Sequence, residues 1–133
     1  MKHIFLLLIT FTALSCNNIT AQNTIDRLVD QYCAVGNSKY TSVVQRNPET
    51  GKVIRVVKTL YLPYQSVAKF KNAFQNEANT GDNYTETNGN TVTSTLIVNK
   101  QQNTRVYTLR YNKNREPNTR AQTTIIIKYN PKQ

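Results

Sequence analysis

The side chains that most often make or break covalent bonds are scarce in this sequence. Among 133 residues there are no tryptophans, one histidine and two cysteines. The histidine, His3, lies in an N-terminal segment that we predict to be removed, so the mature chain lacks the base of Ser-His-Asp and Cys-His catalysis and any histidine ligand for zinc. Cys16 lies in or beside the same segment, which leaves Cys33 alone and predicts no disulfide in the mature domain. We expect Cys33 to be a small core hydrophobe.

Acidic residues and glycines are too dispersed to form a known catalytic or metal-binding pattern. The seven carboxylates are Asp26, Asp30, Glu49, Glu77, Asp82, Glu86 and Glu116. Asp26 and Asp30 stand at i, i+4 and could share a cation, but an exposed helix surface is their expected place. No pair is marked as the two facing carboxylates of a glycosidase, and the four glycines form no phosphate-binding loop. The sequence therefore predicts a protein that is not an enzyme, with no catalytic residue, no metal site and no cofactor.

Negative charge is in short supply relative to positive charge. The chain has 17 Lys and Arg against 7 Asp and Glu, a net charge of +10. Without Lys2, which lies in the removable segment, 16 minus 7 leaves +9. From Lys100 onward there are eight basic residues and one acid, Glu116. A field of this sign favours anionic partners, although the same charge also serves solubility.

Residues 1–22 have the layout of an export signal. Met1-Lys2-His3 is a short positive region, and Ile4–Leu14 is an apolar run too short to span a bilayer. Two processing routes are open. Ala13-Leu14-Ser15-Cys16 is similar to a lipobox, with Cys16 as the lipidated residue, and this route predicts anchoring to the outer membrane. Ile19-Thr20-Ala21 is a site for cleavage before Gln22, which we favour and which predicts a periplasmic or secreted protein.

The remaining residues, 23–133, predict a single domain that begins with an amphipathic helix. The helix is expected over Asn23–Val35, and its apolar face consists of Ile25, Leu28, Val29 and Tyr32, with Asp26, Arg27, Asp30 and Gln31 facing away. A second helix is expected over Gln65–Asn79, where Val67, Phe70 and Phe74 share a face and Gly81 ends the helix.

Six segments alternate β-branched or aromatic residues with polar ones, which is typical of strands. They are Lys39–Gln45, Val53–Leu62, Asp82–Thr87, Thr91–Asn99, Thr104–Asn112 and Arg120–Tyr129. Asn88-Gly89 predicts a two-residue type I′ hairpin turn. The last three strands form a meander in the middle of the sheet, and Val53–Leu62, apolar on both faces, is expected inside it. The order α-β-β-α-β-β-β-β predicts an α+β fold: a single antiparallel sheet of about six strands with two helices packed on one face.

The other face of this sheet is the candidate binding surface. It is expected to be rich in threonine and to present four basic residues, which are Arg55, Arg110, Arg120 and Lys128. Tyr107 and Tyr111 are expected to point into the core, so the face lacks the aromatic residues that stack nucleic-acid bases, and export also removes the protein from nucleic acid. We therefore predict an envelope binding module for an anionic glycan or a protein, through this face or an exposed strand edge, with no nucleic acid partner and no membrane contact beyond an anchor at Cys16. The alternative is a small protein inhibitor or assembly partner that acts through the loops Asn47–Lys52 and Asn112–Thr119.

The N-terminal part of the domain resembles a known kind of protein. Asn23-Thr24-Ile25-Asp26-Arg27-Leu28-Val29-Asp30-Gln31-Tyr32, followed by Tyr40-Thr41-Ser42-Val43-Val44, is similar to the start of small exported proteins of unknown function from Gram-negative gut anaerobes. Those proteins combine a signal peptide, a helix of pattern I-D-x-L-x-x-x-Y and a T-S-V strand. The resemblance implies an envelope or secreted location and an α+β domain, and it brings no catalytic residues.

Overall fold

A computed structural model describes residues 23–35, 40–114 and 121–130 of the chain. Two helices and six strands follow one another in the predicted order. They are α1 (Thr24–Val35), β1 (Tyr40–Arg46), β2 (Val53–Leu62), α2 (Val67–Asn76), β3 (Asp82–Asn88), β4 (Thr91–Asn99), β5 (Asn103–Asn112) and β6 (Ala121–Tyr129). The predicted strands are confirmed to within one residue at each described end, and the predicted first residues of two of them, Lys39 and Arg120, lie outside the described residues.

The six strands form one sheet in the order β1-β2-β6-β5-β4-β3, and every neighbouring pair is antiparallel. The meander β4-β5-β6 is in the interior, as predicted, and β2 lies beside it with β1 at the edge. Strand β2 pairs with the last strand of the chain because its alternating pattern is apolar on both faces, which suits an interior position. Strands β1 and β3 are therefore the two edges of the sheet.

Both helices pack on the same face of the sheet, as predicted. Directly paired residues of antiparallel strands point to the same side, so the row Leu60, Thr123 and Leu109 marks the covered face. The core unites this face with the apolar sides of the helices: Ile25, Val29, Leu60, Leu62, Val67, Phe70, Ala73, Phe74, Leu96, Val98, Tyr107, Leu109, Ala121, Ile125 and Ile127. The opposite face carries no helix among the described residues, and we call it the open face.

The second helix is shorter than predicted. The α-helix covers Val67–Asn76, and single 3-10 turns precede it at Tyr64–Ser66 and follow it at Ala78–Thr80. The sequence pattern does not separate the two helix types because 3-10 turns are common at the ends of α-helices.

Two glycines have particular roles at the ends of β3. Gly81 has an extended backbone, with φ −171° and ψ −161°, so it does not end the helix in a left-handed conformation. A Cβ at this position would collide with the carbonyl oxygen of Ile97 on β4. At the other end, Asn88 pairs with Thr91, so the central turn residues are Gly89 and Asn90. Gly89 has φ +62°, the positive value that two-residue hairpin turns require at their first central residue. The predicted two-residue turn is present, but its central pair is Gly89-Asn90 and not Asn88-Gly89.

Asp26 attaches α1 to the sheet. Its Oδ2 accepts a hydrogen bond of 2.9 Å from the Tyr107 hydroxyl and forms a salt bridge of 3.3 Å with the Arg105 guanidinium. Its backbone N–H donates a hydrogen bond of 2.8 Å to the side-chain oxygen of Asn23, which caps the helix. Burial, and next the negative charge of Asp26, raises the pKa of Tyr107.

The prediction that Asp26 and Asp30 lie on an exposed helix surface is therefore wrong. Their side chains are only 5% and 6% exposed, whereas Arg27 and Gln31 on the same helix are exposed as predicted. Burial of a carboxylate requires partners, and those of Asp26 come from β5, 79 and 81 residues away. The spacing of charges along a helix carries no information about such distant partners.

Glu77 joins the two helices at their ends. Its Oε2 accepts hydrogen bonds from the backbone N–H of Thr24 at 3.0 Å and from the Thr24 hydroxyl at 2.7 Å. The first N–H groups of a helix have no partner within the helix, and a carboxylate at that end is favourable. The C-terminal end of α2 therefore supplies an acceptor to the start of α1.

Two further observations concern the N-terminal half. Cys33 is partly buried on α1, and the prediction that it is alone concerns the mature domain without residues 1–22 and stays a prediction. The predicted lipidation residue Cys16 and both predicted cleavage sites lie outside the described residues. Within residues 23–35, 40–114 and 121–130, neither helix has the length and apolarity to span a membrane.

Candidate binding face

The open face consists of side chains that the strand register arranges in rows across the sheet. Each strand contributes every second residue to this face, and paired residues lie side by side at about 4.8 Å from strand to strand. Four rows can be followed from strand to strand. The rows differ in the type of side chain that they contain. Within two of the rows, the paired residues of neighbouring strands are mostly of one type, and each row has its own chemical character.

The first row is basic at its centre. Arg55 on β2 pairs directly with Lys128 on β6, and both side chains are exposed. Their neighbours in the row are polar and uncharged: Gln45 on one side and Thr104 on the other. We call Arg55 and Lys128 the basic pair, and together they give this end of the face a concentrated positive charge.

The second row is aliphatic and crosses five strands. We call it the aliphatic row, and it consists of Val43, Val57, Ile126, Val106 and Ile97. Val43, on the edge strand β1, is 62% exposed, and the other four are partly buried. Aliphatic side chains in a row supply flat contact area to whatever lies on the face.

The third row places five threonines side by side. We call it the threonine row: Thr41, Thr59, Thr124, Thr108 and Thr95, with Tyr84 of β3 at its end. Tyr84 is 48% exposed. Adjacent strands rotate by about 20–25° relative to each other, so four steps turn the row by about 80–100°. A rigid, planar lattice of ligand atoms cannot follow such a turn, but a flexible chain can.

The fourth row combines an aromatic, an amide and both signs of charge. It runs Tyr61, Gln122, Arg110, Thr93 and Glu86. Tyr61 is 39% exposed, and the amide of Gln122 donates a hydrogen bond of 3.3 Å to the hydroxyl of Thr124 in the threonine row. Tyr61 and Tyr84 stand four strands apart, about 19 Å, with hydroxyl, amide and guanidinium groups between them.

The structure brings together only part of the predicted set of basic residues. Arg55 and Lys128 are adjacent, as the basic pair. Arg110 is on the same face but six residues further along β5 than Thr104, the partner of Lys128, or about 20 Å away. Arg120 lies outside the described residues. The face is the predicted one, but its positive charge lies at two separate places.

Two features of the face were not predicted from the sequence. Tyr84 was not assigned to it, because the short polar strand β3 gives no indication of which side is buried: all seven of its residues are exposed. The threonine row was also missed, since side-by-side placement depends on the register of five strands. Tyr107 is fully buried and Tyr111 is half-buried beneath Lys71, whose Nζ lies 5.3 Å from the ring centre, so the inward direction of both is confirmed.

Titratable groups do not gather on the face. No cluster of three or more His, Cys, Asp or Glu side chains is found among the described residues. The two acids of the face, Asp82 and Glu86, are both on the edge strand β3. The arrangement suits hydrogen bonding, stacking and attraction of negative charge.

The fold and the open face define a small α+β domain with one antiparallel sheet and helices on a single side of it. The model of a family described as a domain of unknown function, DUF5024, matches residues 22–128, and the chain belongs to this family. This confirms the part of the predicted resemblance that concerned an uncharacterised protein family. No curated protein and no solved structure matches the chain.

Proposed function

We propose that the protein is an exported, non-enzymatic binding module that holds an acidic glycan on its open face. The observation that carries the proposal is the composition of this face: the basic pair, a row of hydroxyl groups and two exposed tyrosines on one surface that no described helix covers. Sugars present hydroxyl groups and apolar ring faces, which hydroxyl, amide and aromatic side chains complement. An acidic sugar also carries the negative charge that Arg55, Lys128 and Arg110 attract.

The ligand would be a linear chain that runs across the strands. The threonine row and the fourth row follow this direction, with Tyr61 and Tyr84 at their two ends. Tyrosine combines a flat apolar body with a hydroxyl and loses little conformational entropy on binding, so exposed tyrosines suit ligands that are both polar and flat. Glu86 and Asp82 make the β3 edge of the face negative, whereas the basic residues lie on β2, β6 and β5. The acidic groups of the ligand would therefore lie towards β2, β6 and β5.

Binding to soluble polysaccharides tests the proposal. We expect the protein to bind polygalacturonate or chondroitin sulfate more tightly than dextran, with an affinity that falls as salt rises. Arg55→Glu with Lys128→Glu should lower the affinity for the acidic polymers by roughly tenfold or more, since each reversal removes an attraction of up to about 1 kcal/mol and adds a repulsion of similar size. Isothermal titration calorimetry at two salt concentrations measures both effects.

The control reverses the same number of charges elsewhere. Arg27 on α1 and Lys69 on α2 are exposed on the helix side, so Arg27→Glu with Lys69→Glu changes the net charge equally and leaves the open face intact. If both double variants lost the same affinity for the acidic polymers, the effect would be one of net charge alone, and the proposed site would be contradicted. If no polysaccharide binds, and the Arg55 and Lys128 reversals instead abolish capture of a protein, the ligand class is wrong.

Export is part of the proposal and has its own test. It is supported by the positive start, the eleven-residue apolar run Ile4–Leu14 and the small residues after it. We expect the intact mass of the protein purified from the envelope of a Gram-negative host to correspond to a chain that begins at Gln22. A diacylglyceryl adduct on Cys16 would establish the lipoprotein route instead, and a mass that retains Met1 would contradict export.

A further inference from the structure

The outer edge of β1 differs from the other edge of the sheet. An edge strand presents unpaired N–H and C=O groups, and natural proteins protect such edges with charged residues. Strand β3 has this protection, since it carries Asp82 and Glu86 and is polar throughout. Strand β1 has no charged residue from Tyr40 to Gln45, and it exposes Val43 by 62% and Val44 by 41%. Of the two described edges, β1 is the one that lacks a barrier to pairing.

The sequence of β1 is suited to pairing with itself. The register with β2 is regular from Tyr40 to Gln45 and shifts between Gln45 and Arg46, where the strand is irregular. A two-fold axis through Val43 keeps the five residues Thr41–Gln45 within the part of the strand that is regular. An antiparallel partner with the same sequence would place Val43 against Val43, Ser42 against Val44 and Thr41 against Gln45, with no charged pair at all.

We propose that β1 pairs with β1 of a second copy, antiparallel around a two-fold axis through Val43. The result is a twelve-stranded sheet. Opposed residues of antiparallel strands point to the same side, so the helices of both copies lie on one face and the two open faces join on the other. The aliphatic row continues through the axis, because Val43 is its outermost member in each copy.

The positive charge of the chain does not oppose this pairing strongly. Arg46 is the one charged residue of β1, and its guanidinium donates a hydrogen bond of 3.0 Å to the carbonyl oxygen of Gly51. It lies three residues from Val43, so the two Arg46 backbones would be about 20 Å apart along the strands. This exceeds the screening length of about 8 Å at physiological salt. The paired area is that of two short strands, so we expect a weak, concentration-dependent dimer.

Sedimentation equilibrium of the protein, purified after expression of the full chain, tests the pairing. We expect the weight-average mass to rise from that of a monomer towards twice that value as the concentration approaches about 1 mM, near the weak end of measurable association. Val43→Lys should keep the protein monomeric across this range, because it places two like charges opposite each other at the axis. The exposure of Val43 means that the variant keeps its core, which circular dichroism checks.

Thr85→Lys is the matched control, because Thr85 is exposed at the centre of the other edge strand. It should dimerise like the unmodified protein. A wild-type protein that stays monomeric at about 1 mM, or a Val43→Lys variant that dimerises equally, would overturn the proposal. Loss of the dimer in Thr85→Lys alone would assign the contact to β3 and overturn it as well. None of these outcomes depends on whether the open face binds a glycan.

Discussion

Asp26→Ala is expected to lower the free energy of unfolding by about 3 kcal/mol. Removal of one partner of a buried ion pair costs about 3–5 kcal/mol, because the other charge remains without compensation. The lower end applies here since the side chain of Arg105 is 22% exposed and recovers some hydration. The buried Tyr107 hydroxyl also loses its acceptor, which adds a desolvation cost. Urea denaturation followed by circular dichroism measures the change.

Asp82→Ala is the control for this experiment. Asp82 is an exposed aspartate on β3, and its replacement should change the free energy of unfolding by no more than about 0.5 kcal/mol. If Asp26→Ala also lowered the free energy of unfolding by no more than about 0.5 kcal/mol, the Asp26 contacts would contribute little to stability. The comparison tests directly whether α1 is held to the sheet through its buried carboxylate.

Phe70→Ala is expected to cost about 3–5 kcal/mol of unfolding free energy. Phe70 is fully buried on α2. Its ring meets Tyr32 of α1 edge to face, with centroids 5.3 Å apart and an interplanar angle of 65°. Truncation removes the apolar area and leaves a cavity between the helices and the sheet, and the loss of the aromatic pair adds to the cost. The midpoint and slope of urea denaturation separate this loss from a change in cooperativity.

Lys69→Ala, on the neighbouring exposed position of α2, is the control for Phe70→Ala. Because alanine is also a strong helix former, this variant should stay within about 0.5 kcal/mol of the wild type. If Phe70→Ala were equally mild, the helices would not contribute to the core in the way that the packing indicates. A large loss for Phe70→Ala alone supports the assignment of both helices to the covered face.

The alternation of residues carried most of the information about the elements and their faces. Val92, Leu96 and Val98 on β4, and Ile125 and Ile127 on β6, are buried as the period of two predicts. Boundaries were less predictable. The 3-10 turns around α2 and the shift of the β3–β4 turn by one residue depend on local hydrogen bonds that several sequences satisfy.

The side of the sheet that carries the binding residues was predictable from the sequence, but the positions of these residues relative to one another were not. That Arg110 and Lys128 lie on the polar side of their strands follows from alternation. Strand β2 is apolar on both faces, so its pairing with β6, which sets Arg55 beside Lys128, is what places Arg55 on the same side. The distances among these three residues follow from the sheet order, which places the last strand between β2 and β5. The adjacency of the basic pair and the separation of Arg110 are therefore products of the register, and linear spacing contains neither.

The sequence by itself determined the α+β class, the order of the helices and strands and the apolar side of β4, β5 and β6, because these depend on local periodicity and turn residues. The tertiary structure alone decided the strand order, the rows of the open face and the burial of Asp26 and Asp30. Each of these depends on contacts between residues far apart in the chain, and the free energy of burying a carboxylate or aligning five threonines is set by those distant partners.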